Sequence, residues 1–235
     1  GTLTLGRNGS NIGGVAADAF VQTEGIAVTL VYVDATKGWI VTDSGLQSDA
    51  PGPEYIAATG GCITTCGNFK IHTFFGPGTL CVSGGGNPAG STTVDYLVVA
   101  GGDSAGGYGH GAGGGAGGYR ESPGTATGSY SVSPLGAAPA AALTISASPY
   151  TITVGAGGTG SCSPPAVVTG GDGNNSSFST ITSGAGGGGG GALNTGRNGG
   201  SGGGGGHGGA GGSGNTPPTN PAQGTAGSAS APGAG

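Results

Sequence analysis

"SGAGGGGGGALNTGRNGGSGGGGGHGGAGGSG", residues 183–214, decides the fold of this chain. Glycine is the majority residue across it. An α-helix is not expected there, because each Gly costs about 1 kcal/mol relative to Ala in a helix interior. Two other states compete. Gly/Ser-rich runs are commonly flexible linkers. Alternatively, extended left-handed helices with three residues per turn lack internal hydrogen bonds and, without side chains, can approach closely enough to bond N–H to O=C between neighbours. Any Cβ would hold such backbones apart. Each ordered Gly loses the full backbone entropy, so the packing must satisfy its peptide groups completely. The packed state is the reading adopted, and it makes Gly188 a position that should not accept Val.

The rest of the composition agrees. The chain has 235 residues, of which 63 are Gly, only 6% are charged and none is Met, a poor match to a cytosolic enzyme. Val, Ile, Thr and Tyr dominate the remainder and favour strands. Five Lys and Arg against ten Asp and Glu, a net charge of −5, leave no basic footprint for nucleic acid. No apolar run reaches the roughly 18 residues needed to span a bilayer, so membrane insertion is not expected. No signal peptide is visible, and Gly1 without a Met reads as a mature or partial chain.

Working outward, residues 1–45 are strand-like. "TLTLGRNGS" alternates and stops at an Asn8-Gly9 turn; "IAVTLVYVDATKGWIVT" places Val28, Leu30 and Tyr32 on one face, turns over Asp34–Gly38 and returns through Trp39. So short a unit buries little by itself, and Val28, Leu30, Tyr32 and Trp39 are assigned to an oligomer interface. Residues 46–53 read as a Ser/Asp/Pro/Gly linker. Residues 54–100 read as a small β domain, with three strands in "GCITTCGNFKIHTFFGPGTLCVSGGG" and a strand buried on both faces in "TVDYLVVA". From residue 101 to 235 the chain is glycine-rich, with short strands each running into glycine: "DYLVVAGG", "YTITVGAGG", "FSTITSGAGGGGGG". The expected fold class is all-β: an N-terminal β unit, a small β domain, then a polyglycine II-like helix bundle with short strands.

Gly109, Gly111 and Gly114 satisfy G-x-G-x-x-G after an apolar strand. A dinucleotide turn needs a helix next and an acidic residue about 20 positions on. "YRESPGTATGSYSVSP" holds two Pro and two Gly and cannot form that helix. His72 reads as a paired strand residue, and His110 and His207 as decorations of glycine runs. Asp172 in "GGDGNN" is too few carboxylates for a calcium loop. No nucleophile elbow is present. An enzyme is not expected, nor is a cofactor or metal.

Cys62, Cys66, Cys81 and Cys162 match no zinc spacing. Strand–turn–strand arithmetic around Gly67-Asn68 pairs Cys66 with Phe69, Thr65 with Lys70 and Cys62 with Thr73. Around Gly76-Pro77-Gly78 it sets Thr73 opposite Cys81. Cys62 and Cys81 then flank Thr73, two strand spacings of about 4.8 Å apart, beyond the roughly 7 Å limit for a disulfide. Cys62–Cys66 and Cys66–Cys162 stay open as pairings.

"TLTLGRNGSNIGG", "VYVDATKGW", "KIHTFFGPGT", "DYLVVAGG", "GAGGYRES" and "SSFSTITSGAGGGGG", in that order, resemble the glycine-rich tail-fibre and structural proteins of tailed bacteriophages from marine and fresh water. The resemblance covers most of the chain. It implies a virion or fibre component, a homotrimer with a terminal glycine-rich domain. The expected partners are the chain itself, as that trimer or as a helical polymer, and a host-surface glycan or outer-membrane protein. Tyr108, His110, Tyr119 and Arg120 are the candidate receptor contacts. Cys62, Cys66 and Cys81 depart from the family, which more commonly has Thr, Ser, Asp or Phe there. The alternative is a subunit of an extracellular helical filament assembled by interchain strand complementation.

Overall fold

A computed structural model describes residues 2–23, 26–43, 52–107, 109–124, 141–160 and 168–231. These carry fifteen strands: β1 (Leu3–Leu5), β2 (Ala19–Val21), β3 (Thr29–Asp34), β4 (Gly38–Asp43), β5 (Ile56–Thr59), β6 (Cys62–Cys66), β7 (Phe69–Thr73), β8 (Gly78–Gly85), β9 (Thr93–Val94), β10 (Leu97–Val99), β11 (Tyr119–Glu121), β12 (Leu143–Thr144), β13 (Pro149–Thr153), β14 (Ser176–Phe178) and β15 (Ile181–Ser183). Contacts divide the chain into two units. The first is Gly1–Ala58 with Val82–Thr93 and Thr144–Ser148; the second is Thr59–Cys81 with Val94–Leu143 and Pro149–Gly235.

In the first unit β3 and β4 form the expected hairpin, with Tyr32 opposite Trp39. The turn is fixed by the Asp34 carboxylate, whose Oδ1 accepts from the Thr36 and Lys37 amides at 2.8 and 2.6 Å, the local bonding that suits Asp to turns. Gly38 is required: its φ is +67°, and a Cβ there would lie 1.8 Å from the Asn11 carbonyl oxygen. The close approach lets Trp39 N–H bond Asn11 O at 2.8 Å and Gly13 N–H bond Trp39 O at 2.7 Å. Asn8 and Gly9 turn with φ of 44° and 87°, as the Asn-Gly pair suggests. The strand that β1 meets is β2, with Leu3 opposite Val21, which the sequence did not announce. Ile12, Ala19 and Val21 supply the small core here. β5 lies beside the second half of β8, where Ser83 Oγ donates to Ala57 O at 3.3 Å.

In the second unit β6 and β7 form a two-stranded hairpin in the register expected from Gly67-Asn68: Cys66 faces Phe69, Thr65 faces Lys70 and Cys62 faces Thr73. Gly67 has φ +56° and Asn68 is not in the positive region, the pattern of a type II′ turn. The expected third strand is a correction. β8 does not continue this hairpin; its first half pairs with β13, setting Leu80 opposite Tyr150 and Cys81 opposite Pro149. β13 pairs with β14, and β14 with β15. Local turn arithmetic cannot see a partner that arrives so much later in the chain. A second difference concerns β10, which pairs with β11. Val98 is 8% exposed but Leu97 and Val99 are 59% and 50% exposed, so the strand buries one face and not two. β9 and β12 make one more pair.

The largest correction is to the fold class. The described residues contain no helix of any kind; the protein is all-β, and the expected helix bundle in the glycine-rich half is not formed. The close packing without Cβ atoms that glycine content demands is present, but that content does not dictate a regular helix: the peptide groups go to partners scattered along the chain. Gly187, Gly189 and Gly190 donate to Ser201, Ser104 and Gly204, at 2.9, 3.0 and 2.9 Å, all in other parts of the chain. Bonds of this kind join distant segments as a sheet does, while belonging to no strand. The peptide groups are nevertheless satisfied, which an ordered glycine run demands.

Candidate functional site

The framework of the second unit is the run Gly186–Gly191, every residue of which is buried. Its amides and carbonyls bond to segments on several sides: Gly115 N–H to Gly187 O at 2.9 Å, Ala112 N–H to Gly190 O at 2.9 Å, Gly170 N–H to Gly189 O at 2.8 Å and Arg197 N–H to Gly188 O at 2.9 Å. Side chains are excluded from this centre by distance. A Cβ on Gly187 would stand 1.9 Å from Arg197 O, and one on Gly203 2.2 Å from Gly188 O. Functional side chains must therefore stand at its margin or in a few tailored positions.

Asp103 is one such position. Its Oδ1 accepts the Gly173 amide, and its Oδ2 is buried with no hydrogen-bond partner. Beside it Asp172 accepts the Gly188 amide at 3.0 Å and pairs with Arg197 at 2.8 Å. Burial, the dominant cause, raises the Asp103 carboxyl above its ordinary value; the Gly173 bond opposes this, and the Asp172 charge adds to it. A raised folded-state value means that the stability Asp103 contributes is full below its unfolded value and is lost as pH rises through the folded one. Denaturant melts should therefore show Asp103→Asn gaining on the parent as pH increases from about 4 to 7, through the ordinary carboxyl range. A parent–variant difference that stays flat over that span would contradict this assignment.

The margin carries the side chains singled out by sequence. His110 is exposed at φ +53°. Its ring lies 5.1 Å from that of His207, tilted by 40°, and its carbonyl accepts the His207 amide at 3.2 Å. His207 Nδ1 is buried without a partner. Leu193, 76% exposed at φ +64°, donates its amide to His207 O at 3.0 Å. Tyr119 and Arg120 are half-buried on β11. Tyr119 donates its hydroxyl to Glu121 at 2.6 Å, and Arg120 Nη1 reaches Thr182 O at 3.3 Å. So His110, Tyr119 and Arg120 each have a different partner. Tyr108 lies outside the described residues. The pairing of His110 with His207 was missed by sequence reasoning, although each is a lone ring within glycines and that isolation is the available signal.

The expected interface residues sit in the first unit. Val28 and Leu30 are half-buried, while Tyr32 and Trp39 are 47% and 40% exposed with their rings edge to face at 5.5 Å. A shallow cleft beside them is lined by Leu5, Ile12, Leu30 and Trp39. Cys62, Cys66 and Cys81 are free and exposed. Four residues along β6 separate Cys62 from Cys66 by about 13 Å at the usual strand rise, so they do not bridge within one chain. Cys162, and with it the Cys66–Cys162 pairing, lies outside the described residues. Among the described residues no group of three or more His, Cys, Asp or Glu could hold a metal ion.

A family described as a glycine-rich domain matches residues 82–235, and the chain belongs to that family. No curated protein and no solved structure matches it.

Proposed function

We propose that this glycine-rich domain protein is a structural fibre subunit of a phage-like tail or virion, built from several copies of itself, that offers side chains at the margin of its glycine framework to a host-surface glycan or outer-membrane protein. The observation that carries the reading is the β3–β4 hairpin. Val31, Tyr32, Val33 and Trp39 keep 45, 47, 50 and 40% of their surface open in a single chain. Two strands alone are marginal in water, and this hairpin leaves apolar groups open on both faces, the Tyr32–Trp39 ring pair on one and Val31 and Val33 on the other, which marks it as a contact element. In the fibre, copies of the chain cover it. The framework suits a fibre for a second reason: bonded peptide groups supply rigidity with few side chains, leaving His110 and Leu193 to project.

Trp39→Ala tests the interface. Removing a side chain that assembly buries should weaken association by about 1.5–3 kcal/mol, seen as dissociation on dilution in analytical ultracentrifugation. The circular dichroism of the glycine-rich half should stay unchanged. An oligomer as tight as the parent would exclude the hairpin as interface. Imaging of the native assembly separates this reading from the filament: closed threefold symmetry fits a fibre, and open helical symmetry fits a polymer built by strand complementation.

A further inference from the structure

We propose that β6 pairs antiparallel with β6 of a second copy of this chain, centred on Thr64, and that two interchain Cys62–Cys66 disulfides lock the pair. The contact does not depend on the fibre reading.

Three observations carry it. The first is an open edge. β6 pairs with β7 alone, and all five of its residues are exposed. Strands of this kind, with a row of unpaired N–H and C=O groups, are templates for another strand. The second is the near-palindrome Cys62-Ile63-Thr64-Thr65-Cys66. Two copies run antiparallel about Thr64 set Cys62 of each opposite Cys66 of the other, and Ile63 opposite Thr65. No other antiparallel register places both cysteines opposite cysteines.

The third is the hydrogen-bonding phase. Cys66 and Phe69 close a two-residue turn, and the residues closing such a turn direct their amide and carbonyl toward each other. By alternation Cys62, Thr64 and Cys66 bond inward to β7, while Ile63 and Thr65 direct theirs to the open edge. In the paired state Ile63 and Thr65 therefore make the four interchain backbone bonds. The cysteines fall at non-hydrogen-bonded positions, where facing Cα atoms approach to about 4.5 Å, inside the roughly 4.4–6.8 Å range of disulfides. Each bridge forms by exchange with a small disulfide such as oxidised glutathione. A Cys62 thiolate attacks it and releases one glutathione thiol. Cys66 of the second copy then displaces the other, so two protein thiols are oxidised and one glutathione disulfide is reduced to two thiols.

Because each bridge uses one Cys62 and one Cys66, the geometry has a diagnostic consequence. Full-length protein carrying Cys81→Ser and Cys162→Ser is incubated with oxidised glutathione and run on non-reducing gels. A covalent dimer is expected. Adding either Cys62→Ser or Cys66→Ser should abolish it, since every cysteine left then faces a serine. Mixing the two single-cysteine proteins should restore a dimer through one Cys66–Cys62 bridge. A dimer persisting in either variant alone, as parallel pairing or random oxidation would give, overturns the proposal, as does failure of the mixture to cross-link. On the unsubstituted protein, the tryptic peptide 38–70 holds both cysteines and should be recovered at twice its mass without reductant; recovery only at its single mass also overturns it.

Discussion

Gly188→Val is expected to unfold the second unit or leave it insoluble. A Cβ at Gly188 would stand 2.0 Å from Gly170 O and 2.7 Å from Gly170 C, both backbone atoms. No rotamer relieves that overlap, so one segment must move. Gly188 N–H bonds Asp172 Oδ1 at 3.0 Å, Arg197 N–H bonds Gly188 O at 2.9 Å and Gly170 N–H bonds Gly189 O at 2.8 Å. Displacement breaks these together, and each buried group left unpaired costs about 1–3 kcal/mol. Overpacking adds about 1–3 kcal/mol more. The total reaches the whole stability of an ordinary domain, about 5–15 kcal/mol. Gly113→Ala is the control: nothing lies within 4 Å of its Cβ and its φ is not positive. There the loss of unfolded-state freedom should stabilise by about 0.4–1 kcal/mol. Thermal melts of both variants read the result. A Gly188→Val protein melting with the parent would mean that the framework yields to side chains.

Gln223→Ala should cost about 2–5 kcal/mol from two orphaned groups and a void. Gln223 is 1% exposed, the largest of the fully buried side chains. Its Oε1 accepts the Gly184 amide at 2.6 Å, and its Nε2 donates to Pro217 O at 2.7 Å. The amide thus ties the start of the glycine run to the proline-rich segment, and its own carbonyl accepts Tyr119 N–H at 2.8 Å. Gln223→Glu separates the bonding role from size. Ionised, it cannot donate to Pro217 O; protonated, it can. Its denaturation midpoint should therefore lie well below the parent's at neutral pH and recover part of the gap in acid. Equal deficits at both pH values would assign the effect to packing alone.

What could be read in the sequence was local. The β3–β4 hairpin, the Asn8-Gly9 turn and the register of β6 on β7 each follow from a turn flanked by alternating residues within one short window. The partner of β8 could not be read, because Thr79 and Leu80 meet Thr151 and Tyr150 across a long intervening stretch that carries no pairing signal. The helix bundle was misjudged for a related reason: glycine content tells that Cβ atoms are excluded, not which segments lie side by side. Gln223 sits in a polar, proline-rich stretch whose composition resembles a solvated tail. Nothing in that stretch marks its amide as the one that reaches Gly184. Of the marginal side chains, His110 was legible as an isolated ring, but its companion His207 enters from a different glycine run.

The buried run Gly186–Gly191 also fixes when this unit can fold. Gly189 bonds back to Ser104, whereas Gly190 bonds forward to Gly204, and Gly205 N–H in turn bonds Ser228 O. Contacts of such sequence separation form slowly, because chain closure precedes any reward from them. During synthesis the run leaves the ribosome before its later partners, Asn194, Arg197, Ser201 and Gly204, are made. Its ordering is therefore a late event, complete only after residue 204 has emerged, and until then the centre of the glycine-rich half of a nascent chain is unfinished.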